Sequence, residues 1–125
     1  MTNPAPGPSW DLKDLTAWQV AMDFAASVYE ATRRFPADER FGLRMQLRRA
    51  AVSVVSNIAE GHGRSNRREF ARFTLFARGS LKEAETQILL SKRLAYLTDA
   101  ETERLLVVAT RINRLITGLR RRLLA

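Results

Sequence analysis

Residues 98–125 read TDAETERLLVVATRINRLITGLRRRLLA, and this stretch decides the fold. Leu105, Ala109, Ile112, Ile116, Leu119 and Leu123 recur at steps of 4, 3, 4, 3 and 4, the heptad-like seam of a helix packed along one side. Thr98 followed by Glu101 has the spacing of a capping box, in which each side chain accepts from the other residue's backbone N–H. The pattern predicts a helix over about 99–123.

Working back toward the N-terminus, three more segments keep the helical period. A third helix is expected over about 67–95, with Phe70, Phe73, Ala77, Leu81, Ala84 and Ile88 as its buried stripe and Asn66 with Glu69 as its capping pair. Gly79 lies inside it, at a cost of about 1 kcal/mol relative to alanine. A second helix is expected over about 39–60, capped by Asp38, with Leu43, Leu47, Ala51, Val54 and Ile58 buried. Gly61 is read there as a left-handed stop that opens a loop through Ser65. A first helix is expected over about 16–34, burying Trp18, Met22, Ala25, Tyr29 and Thr32 and ending before Phe35-Pro36, because a residue preceding proline disfavours the α region. Short junctions favour antiparallel neighbours. The expectation is therefore an all-α, single-domain, up-and-down four-helix bundle over 11–125, with no strand and no internal repeat.

Composition agrees with that reading and narrows the function. The chain has 125 residues, enough for one domain, and 46% of them are apolar. No apolar run nears the roughly 18 residues of a membrane span. Residues 1–10, rich in proline, are read as a flexible tail without the charged and apolar regions of a secretory signal. The absence of cysteine excludes disulfides and thiolate chemistry and fits a reducing cytoplasm. The single histidine, His62, is read as a solvated loop residue. No paired Glu-x-x-His, Walker loop, dinucleotide fingerprint or serine triad signature is present. The expectation is a protein without catalytic residues, metal or cofactor.

Charge points to a partner. The formal net charge is +8, and it is uneven: from Arg40 to Arg72 eight arginines face only Glu60 and Glu69, whereas Asp11 to Arg34 is slightly acidic. Arg40, Arg44 and Arg48 share a helical face, and Arg64, Arg67, Arg68 and Arg72 cluster where the third helix begins. Arg104, Arg111, Arg114 and Arg121 share a face of the fourth helix, beside Arg120 and Arg122. An acid-poor basic surface suits phosphates, and a helix N-terminus adds its dipole. Arg44, Arg48, Arg64, Arg67, Arg68, Arg72, Arg111 and Arg114 are the expected nucleic-acid contacts, RNA or DNA. They would act through phosphate and shape, since no groove-reading motif is present.

Two polar stripes interrupt the amphipathic pattern: Gln46, Arg49, Ser53, Asn57 and Glu60 on the second helix, and Ser80, Glu83, Gln87 and Ser91 on the third. They are either a solvated face or a polar network within the bundle or between subunits. In a network, Arg49 would be balanced by Glu60 or Glu83, because buried charges need partners.

At this point the residues resemble a known family. Leu15 to Tyr29 with Trp18, Ala21 and Met22, then Phe35-Pro36, Gly42-Leu43, Gln46-Leu47-Arg48-Arg49-Ala50, Ser53 and Asn57-Ile58-Ala59-Glu60-Gly61, and finally Glu69-Phe70, Phe73, Ala77, Gly79-Ser80, Glu83 and Gln87 resemble four-helix-bundle proteins encoded in intervening sequences of bacterial large-subunit ribosomal RNA. They are also similar to accessory proteins of diversity-generating retroelements. The resemblance implies a homo-oligomeric ring, typically a pentamer, and a basic surface suited to RNA or DNA. It also implies a reverse-transcriptase partner in the retroelement branch, and no established enzymatic activity. It places Gln46, Arg49, Ser53, Asn57, Glu60, Ser80 and Glu83 on motif positions. A nucleic-acid-binding oligomer is the leading expectation. A protein-interaction scaffold and a small-molecule or metal-binding bundle are the competing ones.

Overall fold

The computed structural model describes residues 11–125; the tail expected over 1–10 lies outside the described residues. Its helices are α1 (Thr16–Ala31), α2 (Leu43–His62), α3 (Arg67–Arg93) and α4 (Asp99–Leu124), with short 3-10 turns at Leu12–Asp14 and Ala37–Glu39. Each helix packs against the next and α1 closes against α4, which makes an all-α, up-and-down four-helix bundle. No strand occurs among the described residues. No helix there is long and apolar enough to cross a membrane.

The stripes expected on α2, α3 and α4 are all buried. The capping box of α4 is complete, with both the Thr98 and Glu101 bonds formed. Asn66 caps α3 by accepting from the Glu69 N–H at 3.0 Å.

The first helix corrects its expectation. Met22 and Tyr29 are exposed and Trp18 is only partly buried, whereas Ala17, Val20, Ala21, Phe24, Ala25 and Val28 form the core face. Apolar residues cover more than half of this helix, so two adjacent faces carry the same period. Packing selects the face whose small residues, Ala17, Ala21 and Ala25, allow close approach. The helix also ends at Ala31, three residues early. Thr32 is still buried, as expected, but in the turn, where its hydroxyl donates to the Val28 carbonyl at 2.8 Å.

Helix α2 begins at Leu43, not at 39, and Asp38 does not cap it. Glu39 does that work: its carboxylate accepts the Leu43 N–H at 2.8 Å. It also accepts the Tyr96 hydroxyl at 3.0 Å, which ties the α1–α2 turn to the loop before α4. That bond, with burial and the nearby carboxylates, raises the Tyr96 phenol above its ordinary range.

Gly61 is not a left-handed stop. It is buried inside α2, which runs to His62, and no glycine among the described residues has positive φ. A Cβ on Gly61 would lie 2.7 Å from Phe70 Cδ1 and 2.8 Å from Phe73 Cβ, so the position is small because α2 and α3 touch there. The left-handed residues are Ser65 (φ 57°) and Ala95 (φ 64°), one in each of the two later reversals. At Ala95 the Tyr96 N–H reaches Ser91 O at 2.8 Å and the Ala95 N–H reaches Lys92 O at 2.9 Å, the paired bonds of a Schellman end. Gly79 is exposed, and a Cβ there would meet nothing within 4 Å, so it marks no close approach.

Candidate nucleic-acid interface

Antiparallel packing brings the start of α3 beside the end of α4. The Arg67 guanidinium donates to the Leu123 carbonyl at 3.1 Å and also to the Arg122 carbonyl, which fixes that register. The consequence for charge is large. From Arg67 to Lys82 and from Leu106 to Ala125 the chain carries ten basic residues and one acid, Glu69. These two segments run side by side from the end where α3 begins and α4 finishes, and Glu60, Asp11 and Asp14 lie at that same end.

The eight arginines expected from the sequence divide. Arg64, Arg67, Arg68 and Arg72 lie at this end, joined by Arg120, Arg121 and Arg122, and Arg111 and Arg114 extend the surface along α4. Arg44 and Arg48 do not belong to it. They sit near the start of α2, which points the other way, and about 27 Å of helix separates Arg44 from His62.

Several of the eight also have intramolecular work. Arg48 donates to Thr32 Oγ1 at 2.8 Å and the Tyr29 carbonyl at 3.1 Å, with its guanidinium 4.4 Å from the Tyr29 ring centre. It therefore closes the C-terminus of α1. Arg67 closes the C-terminus of α4 in the same manner. Arg64 pairs with Glu60 at 3.2 Å and Arg72 with Glu69 at 3.4 Å, both exposed pairs of small energetic weight. Arg68, Arg111 and Arg114 are exposed and have no ion-pair partner among the described residues. Arg78 belongs to the basic half of α3 and went unassigned from the sequence. The antiparallel register, which juxtaposes 67–82 with 106–125, is the signal that identifies it.

The polar stripes form a partial network. Ser53 and Ser80 share a hydrogen bond of 2.8 Å between α2 and α3, and the Asn57 amide donates to the Ser53 carbonyl at 2.8 Å and hydroxyl at 3.0 Å. The expected balance for Arg49 is not formed. Glu60 is taken by Arg64, and Arg49 has no ion-pair partner among the described residues. Two shallow troughs meet at Arg49. One of about 350 Å³ is lined by Gln46, Ser53, Glu83 and Gln87, and one of about 460 Å³ by Tyr29, Val52, Asn57 and Glu60. The Gln87 side-chain carbonyl is buried beside the first without a hydrogen-bond partner. Ser91 is buried and donates to the Gln87 backbone carbonyl at 2.7 Å.

His62 is the last residue of α2, half-buried and edge-on to Phe70 at 6.1 Å between ring centres, so it is not the solvated loop residue expected. Among the described residues no three His, Asp or Glu side chains converge as a metal would require. A hollow of about 560 Å³ between α1 and α4 lies toward the opposite end, near the Arg34–Glu101 pair.

The fold and this surface define a basic, antiparallel four-helix bundle whose charge gathers where α3 begins and α4 ends. Residues 13–118 match the family described as "23S rRNA-intervening sequence protein", and the chain belongs to that family. Among solved structures it is similar to a protein of unknown function from the S23 ribosomal protein family of Bacteroides thetaiotaomicron VPI-5482. The TM-score is 0.74 and the identity 22%, over 83% of this chain and 97% of that one. No curated protein matches this chain.

Proposed function

We propose that this chain is a non-enzymatic, cytoplasmic, homo-oligomeric bundle that binds nucleic acid, RNA or DNA, mainly through phosphate contacts at the α3–α4 end. The observation that carries the reading is the excess of base in the two segments that pack together there, ten basic residues against Glu69, an excess that Glu60, Asp11 and Asp14 at the same end offset only in part. Family membership supports it, since the family takes its description from intervening sequences in ribosomal RNA. Neutralising phosphates releases counterions, so affinity falls linearly on a log–log scale with salt.

The test is fluorescence anisotropy of a structured RNA and a matched DNA duplex across a salt series. The variant to compare is Arg68→Gln with Arg114→Gln and Arg121→Gln, three exposed residues without ion-pair partners among the described residues. Each lost phosphate contact should flatten the salt slope by about 0.7 to 0.9. Unchanged affinity and slope would end the assignment.

Self-association into a ring, a pentamer as the family resemblance implies, is part of the proposal. The unmatched Gln87 carbonyl and the unpaired Arg49 beside the α2–α3 trough support a second subunit on that face. Light scattering that returns a monomer would exclude it. A second reading, a scaffold for a protein such as a reverse transcriptase, is favoured by exposed Leu89, Leu90 and Leu94 away from the basic end. A partner that stays bound after nuclease treatment would favour it.

A further inference from the structure

Among the described residues three aromatic rings are exposed, Tyr29, Phe41 and Phe76, and each has an arginine over its face. Two of them have a local explanation. Tyr29 lies under Arg48, which is itself anchored to Thr32 and the Tyr29 carbonyl. Phe41 stands beside Arg40 at the end that also carries Asp38 and Glu39.

Phe76 has neither explanation. It lies on the basic half of α3 and is 45% exposed, outside the stripe that fills the core. Buried Phe73 meets it edge to face, with ring centres 5.3 Å apart and an interplanar angle of 84°, which braces the ring. The Arg72 guanidinium sits 5.4 Å from the Phe76 centre and 5.7 Å from that of Phe73, and Arg64 lies 4.9 Å over Phe73. A braced aromatic ring beside a guanidinium on a basic surface is what unpaired bases stack on, with phosphates tracked by the surrounding arginines. In a duplex each base face is covered by its neighbour, so the ring would have nothing to meet.

We propose that Phe76, braced by Phe73 and flanked by Arg72, is a stacking platform for an unpaired base, so that the preferred partner is a single strand or an unpaired loop. This rests on the nucleic-acid reading above and narrows its substrate class.

The test uses the full chain and three labelled probes: a short single strand, an abasic strand with the same number of phosphates, and a duplex. The parent should bind the base-bearing strand about 5- to 150-fold tighter than the abasic one, the range for one stacked base. Phe76→Leu should lose that preference and keep its abasic and duplex affinities and its salt slope. Arg72→Lys, which keeps the charge without the planar group, should weaken the preference too and serves if Phe76→Leu fails to fold. A parent with equal affinity for the base-bearing and abasic strands overturns the proposal, as does a Phe76→Leu chain that retains the preference. Retained preference together with a changed oligomeric state would assign the ring to a subunit contact instead. No binding of any probe removes both this inference and the nucleic-acid reading. Duplex binding without a base preference removes this one alone.

Discussion

The same substitution, glycine to alanine, should act with opposite sign at two places in this bundle. At Gly61 the added methyl would lie 2.7 Å from Phe70 Cδ1, 2.8 Å from Phe73 Cβ and 3.3 Å from Phe70 Cε1. Phe73 Cβ is fixed to the α3 backbone, so relief requires moving one helix away from the other. Overpacking of this kind costs about 1–3 kcal/mol. Alanine returns up to about 1 kcal/mol of helix propensity. With two contacts under 3.0 Å the cost falls in the upper part of that range, so the net expectation is a loss of about 1–2 kcal/mol, or about 4–8 °C in Tm for a domain of this size. At Gly79 the methyl meets nothing within 4 Å, and only the propensity gain remains. Gly79→Ala should therefore stabilise by up to about 1 kcal/mol. Urea unfolding and circular-dichroism melts of both variants against the parent measure the two numbers. A Gly61→Ala chain as stable as the parent would refute the claim that α2–α3 contact, rather than helix termination, dictates glycine there.

Other consequences are simpler to check. Arg67→Ala removes charged donors from the last α4 carbonyls and should cost about 1–2 kcal/mol in urea unfolding; for that reason Arg67 is a poor probe of nucleic-acid contact. Ala95→Gly should stabilise by up to about 1 kcal/mol, because Ala95 carries a left-handed φ that glycine adopts without strain. Glu101 is held below the ordinary glutamate range, first by the Thr98 N–H it accepts, which outweighs the opposing effect of burial, and then by the Thr98 side chain and the Arg34 and Arg104 charges. Its depressed folded value means that its contribution is fully present above the unfolded value and is lost as pH falls through the folded one. The stability difference between parent and Glu101→Gln should thus shrink below about pH 4. A difference that stays constant down to acid unfolding would contradict this.

Sequence by itself determined the four helices, their antiparallel order and the buried stripes of α2, α3 and α4, because each of those helices has one apolar face and local caps such as Thr98 and Asn66 act within a few residues. It also determined that the chain is basic and that the base concentrates in particular segments. It left α1 with two apolar faces of equal period, and only packing chose between them. Gly61 reads as a stop in one dimension and as a contact point in three, since Phe70 and Phe73 arrive from another helix. The same holds for charge. Arg48 and Arg67 look like phosphate ligands along the chain, yet each finds backbone carbonyls of a different helix. The basic surface exists because antiparallel register sets the beginning of α3 against the end of α4, and register is a property of the whole core, not of any local run of residues.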